Sequence, residues 1–389
     1  MRNDLNELES LLKFEIPEII FGRGSIQQLG QCSRRLGGDR VMLVTDPGII
    51  ANGWVDEALG YLRQEGLKTI VYDNVVSNPR ASQVEQGAKE YARQECDVII
   101  ALGGGSPMDT AKGIAILASN QGRIVDYVGC NLITQPIPPL ICVPTTAGTG
   151  SDVSQFAIIA DQEKKIKMTI LSRAIMPDIS LIDPRLLQTK SDALIASTGM
   201  DALTHAIEAF VSSLSWPLTD PHASHAIKLV FRHLKEAVQS KSLEPLEGMA
   251  IASLEAGAAF SNAILGAVHA LAHPLGGFYD MHHGLANAIL LPAVLKKNLE
   301  YAPEKYALMA NAMGIDTRGK SKLEAAGQVP EKIEALIKTL DIPIKLSQVG
   351  VRREDIPGLA QDAAEDLCMM TNPQKYDAQE IEAIYLDAL

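Results

Sequence analysis

Cysteine is scarce: five residues (Cys32, Cys96, Cys130, Cys142, Cys368), odd in number, far apart and without a Cys-x-x-Cys pair. That excludes a disulfide framework and leads us to expect reduced thiols in a cytoplasmic protein, most of them core filler. Positive charge is also short, with 35 Lys and Arg against 47 Asp and Glu, for a net charge of -12. A broad nucleic-acid or anionic-membrane surface needs clustered basic side chains, so neither partner is expected. A nucleotide is still compatible, because glycines and a helix N-terminus hold phosphate with little basic charge. Long apolar runs are missing: Ala286 to Leu291 is apolar, but Pro292 soon interrupts it, so no membrane span is expected. The opening, Met1 to Glu18, has no basic stretch followed by an apolar run and predicts no secretory signal. There is no internal repeat, no low-complexity segment and no His-Glu-x-x-His, which removes the zinc-peptidase helix.

What is present is ordinary globular composition, 47% hydrophobic and 21% charged over 389 residues, enough for two cores. In the first half short apolar runs end at turn residues: Val41 to Thr45, Thr69 to Tyr72, Asp97 to Leu102 and Pro139 to Val143. Continuous runs of this kind suit strands buried on both faces of a parallel sheet. Amphipathic helical sequence separates them at Trp54 to Glu65 and Ala81 to Gln94, which predicts right-handed βαβ units in a doubly wound α/β domain. Beyond Asp178 to Pro184 the chain turns rich in Ala, Leu, Glu and Ile at helical spacing, as in Asp201 to Phe210, Leu246 to Phe260 and Val329 to Leu340. The expected organisation is an α/β domain over 1–188 and an all-helical domain over 189–389.

Two loops follow buried strands. In Gly103-Gly-Gly-Ser-Pro-Met-Asp-Thr-Ala-Lys112 the glycines permit close backbone approach, and Pro107 suits a first helical position. The exposed N–H groups and helix dipole there favour a pyrophosphate. The spacing is not Gly-x-Gly-x-x-Gly, so the alternative is a structural βα turn. Pro144-Thr-Thr-Ala-Gly-Thr-Gly-Ser151 offers hydroxyls and glycines to the same crevice. Asp46 ends a strand; its carboxylate would bind a ribose diol and repel a 2′-phosphate, favouring NAD over NADP, or would simply cap a helix.

All eight histidines fall between residues 205 and 283. Asp201 and His205 are four apart in strongly helical sequence, so both project from one face, and His269 and His273 repeat that relation. His283 follows fourteen residues after His269, beside Gly284. A carboxylate with imidazoles is a borderline oxygen and nitrogen set suited to Fe(II) or Zn(II), and an open position would make the ion a Lewis acid. His222, His225 and His233 sit in an amphipathic helix without glycine-rich neighbours and are expected to be bystanders.

Taken together, these segments resemble the iron-containing (group III) alcohol dehydrogenases over almost the whole chain. The likeness is carried by Phe21-Gly-Arg-Gly24, the two loops above, Gly199-Met-Asp-Ala-Leu-Thr-His-Ala-Ile-Glu208, and His269-x-x-x-His273 followed by His283-Gly284. The resemblance implies a dehydroquinate synthase-like fold with the active site in the cleft between its domains. It implies Fe2+, or Zn2+ in its place, on Asp201, His205, His269 and His283, and His273 near the nicotinamide rather than on the metal. Around NAD it implies Asp46, Asn78, Gly104, Gly105, Ser106, Asp109, Thr145, Thr146, Thr149 and Lys167. Members commonly read Pro-His-Gly where this chain reads His282-His283-Gly284, so His282 stands as an alternative ligand to His283. Asp152 stands where Glu is frequent.

The activity implied is hydride transfer between a primary alcohol and NAD, with reversible aldehyde reduction, in a homodimer or larger homo-oligomer. His273 would relay the released proton, imidazoles ordinarily titrating near neutrality. Two other readings are an alcohol-dehydrogenase-like regulatory protein, which Asp152-Val-Ser-Gln-Phe-Ala-Ile-Ile159 resembles, and a lyase or polyol dehydrogenase on the same fold.

Overall fold

The computed structural model describes residues 13–162 and 166–389; of the opening segment read for a secretory signal, the first twelve residues lie outside it. Among the described residues nine strands fall in the first half: β1 (Glu18–Phe21), β2 (Arg40–Val44), β3 (Lys68–Tyr72), β4 (Val98–Gly103), β5 (Gly129–Cys130), β6 (Leu140–Pro144), β7 (Phe156–Asp161), β8 (Ile166–Leu171) and β9 (Ile179–Ile182). Six form a parallel sheet in the order β1-β9-β6-β4-β2-β3. Helices α1 (Leu29–Arg35), α2 (Pro47–Ala51), α3 (Trp54–Gln64), α4 (Ala81–Arg93) and α5 (Gly105–Ser119) connect and cover it.

Strand periodicity explains the layering. Along β2, Val41 and Leu43 join one apolar cluster with Leu29 and Leu62, while Met42 and Val44 join another with Met108 and Ile114. Alternate side chains point to opposite faces, so a strand covered on both sides reads as an unbroken apolar run. The four predicted strands are β2, β3, β4 and β6, each within a residue or two. β1, β9 and a small sheet ordered β5-β8-β7, in which β7 and β8 are antiparallel, were not anticipated.

After Ile182 the described residues contain helices and turns but no strand. The helices that carry or back the site are α6 (Asp192–Val211), α7 (Thr219–Ser240), α8 (Leu243–Ala263), α9 (Ala267–Tyr279) and α10 (His283–Asn298), with α7 supplying packing only. Leu203, Ile207, Val230, Leu234, Phe260 and Leu290 share one continuous core. The helix α10 runs through Pro292 instead of ending near it, since close packing offsets the donor that proline removes. Pro107 lies in the first turn of α5 but follows Gly105 and Ser106, so it is not the first helical residue. Among the described residues no single helix is long and apolar enough to cross a membrane. All five cysteines are unpaired; Cys32, Cys142 and Cys368 are buried, whereas Cys130 is exposed.

Candidate metal centre and cofactor cleft

The chain passes from β2 to β3 on one side, then returns so that β4 lies on the other side of β2. Open α/β sheets bind ligands beyond the carboxyl ends of strands at such a switch point. Asp46 lies just past β2, Gly104 past β4 and Thr145 past β6. A cleft of about 550 Å³ opens there, and all ten residues expected around the cofactor line it, together with Asp201 and His283. A Cβ added to Gly105 would lie 3.0 Å from Thr149 Cγ2, so glycine lets the two loops meet.

Several of these residues are already engaged. Asp46 caps α2, its Oδ1 accepting from the N–H groups of Gly48 (2.8 Å) and Ile49 (3.1 Å). The Asn78 amide donates to Asp280 Oδ1 at 2.5 Å and ties the loop after β3 to the end of α9. The Asp109 carboxylate accepts from Ser151 Oγ (2.7 Å) and Ile158 N–H (3.2 Å), organising the second loop. Thr145 is fully buried and its hydroxyl has no partner. Burial pushes the Lys167 ammonium down to about 8, although Asp109, Asp201 and Asp280 pull the other way.

On the helical side Asp201 and His205 occupy one buried face of α6, His269 sits in the first turn of α9, and His283 opens α10. One ligand atom from each of these four lies within 4.8 Å of the others. Asp201 Oδ1 is 3.8 Å from Nε2 of His205, of His269 and of His283. The approach of α10 depends on Gly284, where a Cβ would fall 2.4 Å from the Ser197 carbonyl oxygen on α6. His282 is exposed and outside the cluster.

The outer nitrogens explain the orientation. His205 Nδ1 faces the Gly148 carbonyl at 3.1 Å, and His269 Nδ1 faces Glu208 Oε2 at 2.6 Å. Each therefore carries its proton on Nδ1 and turns an unprotonated Nε2 inward, the usual arrangement behind a ligating histidine. Burial, reinforced by neighbouring imidazoles and, for His283, by Lys167, holds His269 and His283 well below the ordinary imidazole range. Neutral rings keep their lone pairs for a cation.

His273, one turn after His269, does not join the four. Its Nδ1 lies 2.7 Å from Asp366 Oδ2. Burial works to raise the Asp366 carboxyl, but the adjacent His273 and the Cys368 N–H outweigh it, and the group stays below its usual range. His273, His205, His269, His283 and Phe260 line a cavity of about 80 Å³ next to the cleft.

Four contributors were missed in the sequence. Glu208 continues the Asp201/His205 face at a spacing of three, a signal that was available. Asn287 stands four after His283, yet an amide is not counted among likely metal donors. Asp366 is 93 residues from His273 and no local spacing finds it. The buried Lys112 donates to the carbonyls of Ser151, Ser154 and Phe156, each at 2.7 Å, fixing the second loop.

Comparison with known proteins decides the family. Residues 17–184 match the model for iron-containing alcohol dehydrogenase, and 195–389 match the C-terminal model of the Fe-containing alcohol dehydrogenase family. The chain belongs to the iron-containing alcohol dehydrogenases. It is 43% identical to 1,3-propanediol dehydrogenase of Klebsiella pneumoniae over 382 residues, covering 97% of this chain and 99% of that one. It is 37% identical to NAD-dependent methanol dehydrogenase of Bacillus methanolicus over 374 residues, 96% and 98% of the two chains. A solved 1,3-propanediol oxidoreductase superposes with a TM-score of 0.95 at 43% identity, covering 97% of this chain and 100% of the other. The family's metal fits the donors present: one carboxylate, three imidazoles with inward Nε2 atoms, and Nδ1 protons held from outside on two of them.

Proposed function

We propose that this iron-containing alcohol dehydrogenase interconverts a small primary alcohol and its aldehyde with NAD, using Fe2+, or Zn2+ in its place, on Asp201, His205, His269 and His283. The observation that carries this is the convergence of those four groups on a face shared by the glycine-lined cleft and the small cavity. When bound, the cation supplies a Lewis acid to the alcohol oxygen and the nicotinamide supplies the hydride acceptor.

The chain's own groups do the rest. Gly104, Gly105 and Ser106 present the first N–H groups of α5 to the cofactor phosphates. Asp46 spends Oδ1 on its cap and keeps Oδ2 for a ribose hydroxyl, which favours NAD over NADP. Asp366 holds His273 by Nδ1, leaving Nε2 to take the substrate's proton and pass it toward solvent. Phe156, Phe260 and Leu265 keep the small cavity apolar and limit the carbon chain it accepts. The relatives that act on 1,3-propanediol and methanol, by name, fit a small substrate. The cytoplasmic setting and a homodimer or larger assembly belong to the same proposal; β1, an edge strand of the sheet, offers backbone for a second copy.

The test is a panel of short alcohols and aldehydes with NAD and NADP, on protein reconstituted anaerobically with Fe2+ or Zn2+. We expect NAD-linked turnover that chelation abolishes and metal restores. Turnover that survives complete metal removal would sink the reading.

A further inference from the structure

Asn287 belongs to no role described so far. It is fully buried on α10, one turn after His283. Its Nδ2 lies 2.7 Å from Asp201 Oδ1, 3.1 Å from His269 Nε2 and 3.3 Å from His283 Nε2. Its Oδ1 is buried with no hydrogen-bond partner. One amide therefore touches three of the four proposed ligand atoms with its nitrogen end and leaves its oxygen end unsatisfied. An unpaired buried acceptor is unfavourable, a penalty an apolar residue of the same shape would not carry.

The chemistry of the two ends differs. A cation among these atoms takes their lone pairs, and an N–H face then points at positive charge. A half-turn about the terminal torsion, which is broad and two-fold for asparagine, exchanges the ends without moving the backbone. We infer that Asn287 is a positioning residue of the metal site, its carboxamide oxygen turning toward the cation that Asp201, His205, His269 and His283 hold. The same rotation moves the oxygen off its unpartnered position and puts the Nδ2 group there. This rests on the metal-site reading above.

The test uses Co2+ alone as probe, on the full chain, with affinity read by chelator competition and donor geometry by the visible absorption spectrum. Asn287→Leu keeps the shape and removes both polar ends; it should lose Co2+ affinity by about 10- to 100-fold, as for other groups behind a metal's ligands. Asn287→Asp restores an oxygen and should bind within a few-fold of the unaltered protein, with a shifted spectrum. It is nearly isosteric, so it remains informative if Asn287→Leu fails to fold. Unaltered affinity and spectrum in Asn287→Leu would overturn the inference. So would an Asn287→Asp protein that folds yet loses Co2+ by 10-fold or more, because then the N–H donation to Asp201 is what matters. An unaltered protein that binds no Co2+ would instead remove the metal-site reading beneath it.

Discussion

Glu208 Oε2 lies 2.6 Å from His269 Nδ1, with neither side chain more than 2% exposed. The same carboxylate accepts from the N–H groups of Gly266 (3.1 Å) and Val268 (2.6 Å), so a residue of α6 caps α9 and orients a proposed ligand on it. Burial lifts the Glu208 carboxyl to about 7, and those two N–H groups pull it back toward the anion. One side chain thus couples helix initiation to the aim of Nε2.

Glu208→Gln should therefore lower divalent-metal affinity by about 10- to 100-fold, because a weaker acceptor sits behind His269. Glu208→Ala should also destabilise the fold by several kcal/mol, leaving two buried N–H groups at the start of α9 unpaired at about 1–3 kcal/mol each. Metal competition and denaturant midpoints separate the two effects. Native metal affinity in a folded Glu208→Gln protein would show that His269 needs no such partner.

Asp46 caps α2, and the ribose contact proposed for it can be separated from that cap by one substitution. Asp46→Ser keeps a cap for α2 while removing the charge, so stability should stay near that of the unaltered protein. If the free carboxylate oxygen meets the ribose, the ratio of kcat/KM for NAD over NADP should fall by about 10-fold or more, chiefly through relief of repulsion with the 2′-phosphate. An unchanged ratio would leave Asp46 as a cap and nothing else.

The parts of the fold legible in the sequence are those whose burial is nearly uniform. β4 is buried at every position and appears as the unbroken run Val98 to Gly103. β1, with its mixed exposure, gains its conformation from β9, far away in the chain; β8 pairs with its neighbour β7 but is only half-covered, so neither shows a uniform apolar run. The site divides in the same way. Spacing alone offers the pairs Asp201/His205 and His269/His273 with His283 downstream, and the family pattern selects His283 and sets His273 apart from the proposed ligands. The groups behind them, the Gly148 carbonyl and the Asp366 carboxylate, arrive from 57 and 93 residues away. Their place is set by packing between helices and loops, which spacing along one segment does not encode.

Lys112 is the buried cation that binds one half of the site together. It is fully buried, and burial pushes its ammonium below the usual lysine range while Asp109 counters. Lys112→Met retains most of the stem but leaves the carbonyls of Ser151, Ser154 and Phe156 without their donor. We expect a loss of about 3 kcal/mol or more in unfolding free energy, from breaking a buried charged network. In protein that still folds, the KM for NAD should rise more than kcat falls, since the Thr149 to Ser151 loop loses its anchor. A destabilised protein with native KM would separate this anchor from cofactor binding.

His222 and His225, expected to be bystanders, both face Glu255 across α7 and α8, His222 through a hydrogen bond to Oε2 and His225 at 3.3 Å from Oε1. The Glu255 hydrogen bond raises the His222 pKa, burial opposes it, and the carboxylate's charge adds to the rise. Burial works to raise Glu255, but the hydrogen bond and charge of His222 outweigh it and the carboxyl is lowered. The signs fix a window. A raised histidine contributes stability fully below its unfolded value near 6.5 and loses it as pH climbs through the folded value. A lowered glutamate contributes above its unfolded value near 4.3 and loses it as pH falls through the folded one. The pair should therefore stabilise most between about pH 4.5 and 6.5. His222 keeps 36% of its side chain in water, so screening limits the effect to about 1 kcal/mol or less. Denaturant midpoints of the unaltered protein and His222→Gln should differ at pH 5.5 and converge by pH 8.5. A gap of equal size at both would mean that the ring's stacking on Phe14, centroids 5.3 Å apart, outweighs its charge.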